Sequence, residues 1–348
     1  MKKYIRIIGL LLVLLAIACV CSICIGAVKI PVDSLFSIVL NNFGIESEKL
    51  FTAQQQAVFS SLRLPRMLLG VLVGATISIA GASIQGLFRN PLAEPSLIGI
   101  SSGASLFAVL MIVLEARFFQ SITAIFGYYA LAIAAFVGAV LTTFIVYRFS
   151  VKNGRTDVTS LLLIGIAINA LVGAFTGLLT YIASDEQLRN ITFWSLGSLG
   201  GANWKTVSAL LPFSIISIVG LLLFGKTLNA ISLGESQAEH LGFSLHKSKK
   251  LIILFAAIGV GAAVAVSGII SFIGLVVPHI LRMSVTGNNR FVLPASAILG
   301  ACILVAADLI ARTIVAPTEL PIGILTAIIG VPVFLYIIFK ERKRRISG

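Results

Sequence analysis

Residues 63–88, RLPRMLLGVLVGATISIAGASIQGLF, carry only two charges, both on arginines at the beginning of the stretch. About 20 apolar residues suffice for a helix to cross the hydrocarbon core of a bilayer at 1.5 Å per residue. Small residues at Gly70, Gly74, Ser78 and Gly81 would also let neighbouring helices approach closely. The stretch therefore predicts a membrane-spanning helix packed inside a helical bundle.

Similar apolar runs, separated by short basic segments, recur along the chain. Working outward from the first run gives ten predicted spans, at 5–28, 63–88, 96–114, 123–149, 158–182, 203–224, 248–267, 269–284, 291–311 and 322–340. Only Ser267 and Gly268 separate the seventh span from the eighth. The runs lack the alternation of apolar and polar residues that a transmembrane β-barrel requires. The predicted fold class is an all-α polytopic membrane protein with about ten transmembrane helices.

Composition supports this fold class. Of 348 residues, 58% are hydrophobic and 11% are charged, so a soluble fold would have too few polar residues to face water. No polar interval is long enough to separate soluble domains. The whole chain, 1–348, is predicted to form a single transmembrane domain, with an external loop at 29–62 and a cytoplasmic segment at 225–247.

The net charge of +13 is unevenly placed. With ten spans both termini lie on one side, and 18 of the 26 basic residues fall there. The other eight are Lys29, Lys49, Arg63, Arg66, Arg117, Arg189, Lys205 and Arg312. The positive-inside rule then predicts that both termini are cytoplasmic. Attraction to anionic lipid accounts for most of this charge, so no nucleic-acid partner is expected.

An internal repeat is indicated by a shift of 187 residues. It aligns Val73-Gly74-Ala75 with Val260-Gly261-Ala262, Gly81 with Gly268, and Pro91 with Pro278. Five helices between the copies would give inverted topology, which is frequent in transporters. Ordinary packing of small residues explains the same identities. Both interpretations stay open.

No catalytic, cofactor or metal site is predicted. Residues 220–227 match a phosphate-loop pattern literally, but their four middle residues are Leu, Leu, Leu and Phe at the end of a span. A phosphate loop needs a strand before it and a helix opening at the Lys-Thr. Cys19, Cys21, Cys24 and Cys302 lie inside spans, and the three histidines are scattered.

The segment 232–242 is predicted to form a short cytoplasmic helix. Ser232 and Glu235 have the spacing of a capping box, and Gly242 is a plausible stop. Leu233, Ala238 and Leu241 would be its apolar residues, and a docking helix would present them outward to the partner. A helix this short is usually held by packing, so either a solvated loop helix or a docking helix for a cytoplasmic partner fits.

Burying a polar side chain inside a membrane span costs free energy, so each such residue is a candidate for a structural or functional role. Asp308 and Arg312 have the i,i+4 spacing of an ion pair. Asn169 and Gln85 could line a path or bond to a neighbouring helix, and the second outcome is the commoner one.

Several motifs together resemble the FecCD-type permeases of bacterial ABC importers for iron-siderophores, haem and cobalamin. The resemblance extends from about Arg63 to Arg345. The motifs are Arg63-Leu-Pro-Arg66; Asn90-Pro-Leu-Ala-Glu94-Pro95 with Gly99 and Gly103; Phe193-Trp194-Ser-Leu-Gly197-Ser198-Leu-Gly200-Gly201 with Trp204; Leu233-Gly234-Glu235; His240-Leu241-Gly242; Phe272-Ile-Gly274-Leu-Val-Val-Pro278-His279; and Glu319-Leu-Pro321-Ile-Gly323.

The resemblance implies a fold like that of the cobalamin-importer permease and a homodimer in the bacterial cytoplasmic (inner) membrane. Two separate ATPase subunits would bind inside and hydrolyse ATP, and a substrate-binding protein would dock outside. The implied coupling helix contains Ser232, Leu233, Glu235, Glu239, Leu241 and Gly242. The implied docking residues are Arg63, Arg66 and Arg312, and the implied path residues on the fifth span are Asn169, Gly173 and Thr176.

The substrate is less well indicated. Residues 185–198 are most similar to the haem-importing branch, the siderophore branch shares most of the same motifs, and cobalamin fits less well around Gly197-Ser198. A secondary transporter driven by an ion gradient is the alternative from another class. It would need ionisable residues buried at mid-membrane, and the spans supply almost none.

Overall fold

The computed structural model describes residues 2–42, 44–45, 50–115, 119–152, 155–316 and 318–346. Within these ranges the chain is almost entirely helical. The helices are α1 (Lys2–Cys24), α2 (Val32–Asn42), α3 (Ala53–Val58), α4 (Leu64–Phe88), α5 (Ile100–Leu114), α6 (Gln120–Phe126), α7 (Ala130–Ser150), α8 (Val158–Tyr181), α9 (Asp185–Leu196), α10 (Trp204–Leu222), α11 (Gly225–Leu233), α12 (Glu235–His240), α13 (Leu245–Ser267), α14 (Ile273–Ser284), α15 (Asn289–Thr313) and α16 (Ile322–Ile346). A two-stranded hairpin, β1 (Val151–Lys152) and β2 (Arg155–Thr156), joins α7 to α8.

The ten predicted spans correspond to ten apolar helices in the described part of the chain. Seven are long and apolar enough to cross a membrane, namely α1, the continuous helix Ala53–Phe88, α7, α8, α10, α13 and α15. Three are shorter, namely α5, α14 and the segment Ile322–Tyr336 of α16. The prediction of an all-α polytopic membrane protein is confirmed.

Two predicted boundaries are wrong. The second span begins at Ala53 rather than at 63, because Thr52 and Gln55 form a capping box that starts the helix ten residues earlier. One π-helical turn, Phe59–Arg63, joins α3 to α4. The loop predicted to be external therefore ends near residue 52, and α2 lies within it. The fourth span begins at Ala130 rather than at 123, since α6 and a 3₁₀ turn, Gly127–Tyr129, precede it.

The predicted boundary between the seventh and eighth spans is a break in mid-bundle. Gly268 ends α13 with φ 69°, and Phe272 precedes α14 with the same left-handed φ. The 12 residues of α14 extend only about 18 Å, which is less than the roughly 30 Å of a hydrocarbon core. Broken helices are tolerated at this depth only where protein covers the backbone. Ser198 N supplies such cover by donating to Ser267 O at 2.8 Å.

Helix α4 lies at the centre of the bundle, in contact with α10, α13, α14 and α15. Glycines make these contacts close. A Cβ at Gly74 would lie 2.9 Å from Ala301 Cα of α15, and one at Gly81 would lie 2.6 Å from Gly274 C of α14. Gln85 Nε2 donates to Leu275 O at 2.9 Å, so this polar side chain bonds to a neighbouring helix.

The inverted repeat stays a prediction. Its aligned Val-Gly-Ala triplets fall in α4 and α13, but Gly81 is inside a helix whereas Gly268 ends one. Residues 220–227 span the junction of α10 and α11, and no strand precedes them there, so the phosphate-loop match has no phosphate-loop structure.

Candidate functional site

The segment predicted to couple to a partner consists of two short helices, α11 and α12, that meet at Gly234. The buried side of α11 includes Leu228 and Ile231, both fully buried. Asn229 Nδ2 donates to Asn288 Oδ1, and Asn289 N donates to Asn229 Oδ1, each at 2.7 Å. These bonds attach α11 to the beginning of α15, so the segment is held firmly against the bundle.

The opposite side of this segment is exposed. We define the coupling surface as its six predicted residues, all of which are exposed in the single chain: Ser232, Leu233, Glu235, Glu239, Leu241 and Gly242. Leu233 and Leu241 are 68% and 62% exposed. Two large exposed apolar side chains together with two carboxylates, on a rigidly attached element, suit contact with another protein.

Three local predictions for this segment are wrong. The predicted single helix is broken at Gly234, whose φ of 126° favours glycine. Ser232 does not cap α12, because it lies inside α11 and its Oγ donates to Asn229 O at 2.6 Å. Ala238 is fully buried rather than presented outward. Glu235 instead bonds to Lys249, a residue to which no sequence motif assigns a role.

At the opposite end of the bundle lies the arginine cluster, defined as Arg63, Arg66, Arg312, Asp308 and Glu319. Arg66 is its centre. Nε donates to Asp308 Oδ2 at 3.0 Å, and Nη2 donates to Asp308 Oδ1 at 2.9 Å. Nη1 and Nη2 also donate to Glu319 at 2.7 and 3.0 Å. The Arg66 hydrogen bonds hold the pKa of Glu319 below its usual range.

The other two arginines bind the end of α1. Arg63 is 8% exposed and donates to the carbonyl oxygens of residues 22, 23, 25 and 28. Arg312 Nη2 donates to Ser22 O, and Arg312 Nε lies 3.8 Å from Asp308. Cations suit a helix C-terminus, where carbonyl groups lack helical partners. The predicted Asp308–Arg312 pair is present, but Arg66 is the closer partner of Asp308.

A cleft of about 610 Å³ opens beside the arginine cluster, lined by all three arginines and by Glu319. Glu319 is the most open member, with 44% of its side chain exposed, against 15% for Arg66 and 8% for Arg312. The guanidinium groups predicted to dock a partner are thus largely occupied by bonds within the chain.

The predicted path residues lie on one side of α8. Gly173 is exposed, while Asn169 and Thr176 are half-buried. Asn169 Nδ2 donates to Ser96 O at 3.0 Å, and Ser102 Oγ donates to Asn169 Oδ1 at 2.5 Å, so this amide bonds to neighbouring elements. The packed side of α8 carries Leu161, Gly165 and Val172. Its other side is uncovered in the single chain.

In the described part of the chain, ten apolar helices form one bundle, with a broken helix in its interior and a firmly attached pair of short helices at one end, and this is the architecture of a multi-pass membrane protein. The chain belongs to the FecCD transport family, which matches residues 14–340.

The relatives include permeases of transport systems with assigned substrates and a solved ABC transporter, so the chain is a permease of the ABC importer class. The chain is 42% identical to the hemin transport system permease protein HmuU of Yersinia pestis, over 97% of this chain and 96% of that one. It is 41% identical to the cobalamin import system permease protein BtuC of Halobacterium salinarum, over 83% and 75% of the two chains. A solved ABC transporter of the metal-chelate type, in an inward-facing conformation, matches 96% of this chain and 99% of its own with 32% identity and a TM-score of 0.83.

Proposed function

We propose that this permease imports haem or an iron-siderophore complex across the bacterial cytoplasmic membrane, as a homodimer with cytoplasmic termini. Two ATPase subunits bind at the coupling surface and supply the energy, and an external binding protein delivers the substrate. The 42% sequence identity to the hemin permease and the structural similarity to the metal-chelate type transporter support this substrate class. A cobalamin permease is the second candidate, supported by the 41% identity to the archaeal cobalamin permease.

The coupling surface is the observation that carries the proposal. Its leucines are exposed although α11 is bonded through Asn229 to α15. A loop helix with no partner would gain by turning those leucines inward, because burial of a leucine stabilises by about 1.5–3 kcal/mol. A rigidly mounted apolar surface is instead suited to transmitting force from a partner subunit.

The test of this assignment is co-purification with the proposed partner ATPase. Leu241→Asp places a charge at the centre of the expected contact, so we expect loss of the ATPase and of uptake. Leu50→Asp is the control, because Leu50 is 55% exposed on the predicted outer side. Full ATPase binding by Leu241→Asp would refute the docking assignment.

The substrate is tested by uptake into proteoliposomes that hold the permease, its ATPase and the cognate binding protein. Haemin, a ferric siderophore and cobalamin are offered separately, each with internal ATP or with an imposed ion gradient. We expect ATP-dependent uptake of haemin or the siderophore. Uptake driven by the gradient without ATP would identify a secondary transporter instead, and uptake of cobalamin alone would select the second candidate.

The path assignment is tested by thiol accessibility. Cysteines replace Asn169, Gly173 and Thr176 in a background without the four native cysteines. If α8 lines an aqueous path, a water-soluble thiol reagent should label them in at least one transport state. Val172→Cys is the control on the packed side, since Val172 is 7% exposed. Protection of all three positions in every state would remove α8 from the path.

The proposed docking partner of the arginine cluster is an acidic surface of the binding protein. The adjoining cleft and the planar guanidinium groups suit carboxylates, which they hold through paired hydrogen bonds. Because Arg63 is buried against α1, docking would rest mainly on Arg66, through the exposed site that Glu319 now occupies.

A further inference from the structure

Lys249, in the first turns of α13, is a buried cation that belongs neither to the coupling surface nor to the arginine cluster. It is 4% exposed, whereas its neighbour Lys250 is exposed. A buried ammonium is costly unless it is paired and hydrogen-bonded. Its surroundings must therefore supply a counter-charge and acceptors.

Two other elements supply them. Lys249 Nζ donates to Glu235 Oε2 of α12 at 2.7 Å and to Thr156 O of β2 at 3.1 Å. Glu235 belongs to the coupling surface, and its side chain is 46% exposed. One ammonium group therefore bonds α13 to the coupling surface and to the hairpin that leads into α8.

The hairpin leads directly to the beginning of α8. Asp157 follows Thr156 and caps α8 by accepting from Ser160 N at 2.8 Å. The Ser160 hydroxyl and amide lower the pKa of Asp157, and the nearby charge of Lys249 adds to that effect. The cation thus lies between the carboxylate of the coupling surface and the carboxylate that caps the predicted path helix.

We propose that Lys249 is the positioning residue that transmits movement of the coupling surface to the beginning of α8. The inference rests on the proposed function, because the movement would originate in the ATPase. Lys249 touches neither substrate nor nucleotide. Its two bonds make α12, α13 and the hairpin respond together, since any separation would leave the buried charge without its partners.

A purely structural lysine would show a different response to mutation. It would stabilise the fold, and its loss would reduce protein yield without altering the relation between ATP hydrolysis and transport. A lysine that transmits movement must also affect how strongly the binding protein and substrate, at one end of the bundle, stimulate ATP hydrolysis at the other end. The decisive quantity is therefore the ratio of stimulated to basal ATP hydrolysis, measured per permease–ATPase complex.

The experiment uses the full permease–ATPase complex in proteoliposomes. For Lys249→Met we expect the ratio of stimulated to basal ATP hydrolysis to fall about five- to tenfold, which is the size of effect expected when a typical coupling between two sites is lost. Lys249→Arg keeps a cation and should restore most of it. Lys250→Met is the matched control and should match the unmodified chain. Full stimulation in Lys249→Met would overturn the proposal.

A second readout reports the position of α8 directly. Gly173→Cys in the cysteine-free background should change its thiol reactivity when ATP binds, and this change should disappear when Lys249→Met is added. Persistence of the change would overturn the proposal. If Lys249→Met does not fold, Glu235→Gln removes the counter-charge from the exposed side and should lower the same ratio. An unmodified permease that fails to bind the ATPase would refute the proposed function instead.

Discussion

The arginine cluster contains its own acidic competitor. Glu319 accepts from Arg66 Nη1 and Nη2 at 2.7 and 3.0 Å, at the most exposed edge of the cluster. A carboxylate of the binding protein that bonds to Arg66 must displace it. Glu319→Gln removes the charge with little change of shape, and Asp308 still holds the other edge of the guanidinium. We therefore predict that Glu319→Gln strengthens association with the binding protein.

The size of the expected affinity gain follows from the exposure of the Glu319 side chain. The Glu319 side chain is 44% exposed, so the ion pair is of the surface kind and contributes about 0.2–1 kcal/mol. Loss of that competition corresponds to an affinity gain of about 1.5- to fivefold. Because Arg66 lowers the pKa of Glu319, the carboxylate stays charged above its ordinary pKa of about 4.3. The gain should therefore be equal at all pH values from about 5 to 8.

The assay is the association of labelled binding protein with the permease in lipid nanodiscs at several salt concentrations. Salt screens exposed charges, so the gain should shrink as ionic strength rises. Glu186→Gln is the control, because Glu186 is an exposed acid on α9, also on the predicted outer side. An affinity gain no larger than that of Glu186→Gln would refute the competition, and weaker binding would show that Glu319 assists docking.

Three further predictions concern the bundle. Gly81→Ala should lower the midpoint of thermal unfolding in detergent, because the added Cβ pushes α4 away from α14 and destabilises the fold by about 1–3 kcal/mol. Gly177→Ala is the control, because a Cβ there meets nothing within 4 Å and should stabilise the helix by up to about 1 kcal/mol. Equal midpoints would contradict the packing. Arg63→Met should speed hydrogen exchange at the end of α1 by leaving its carbonyls unpaired, and unchanged exchange would argue against that anchor. Asp157→Ala should speed exchange in the first turn of α8, where the cap contributes about 1 kcal/mol. Because the pKa of Asp157 is lowered in the folded chain, the stabilisation is present above about pH 3.9 and is lost as pH falls through the folded pKa. Exchange in the first turn of α8 that does not speed up in acid would contradict the capping role of Asp157.

The sequence alone predicts which segments form the apolar helices of the bundle. Lipid offers no hydrogen-bond partners, so a span that faces lipid must pair its backbone groups within its own helix, and that property is local. The fifth span shows this, since 158–182 was predicted and α8 covers Val158–Tyr181. The exposed leucines of the coupling surface also followed from local motifs. The same local reasoning failed at Ser232, because α11 continues through it to Leu233 and removes it from the capping position.

The tertiary structure alone decided which polar groups meet. Arg66 and Glu319 are 253 residues apart, and Lys249 meets a carbonyl 93 residues earlier in the chain. No sequence period relates such positions. Their pairing depends on which helices pack together, and that in turn depends on close approaches such as Gly81 against Gly274. A buried charge must find a partner wherever packing places it, so the sequence shows that Lys249 and Arg63 carry charge, and only the packed bundle shows what balances it.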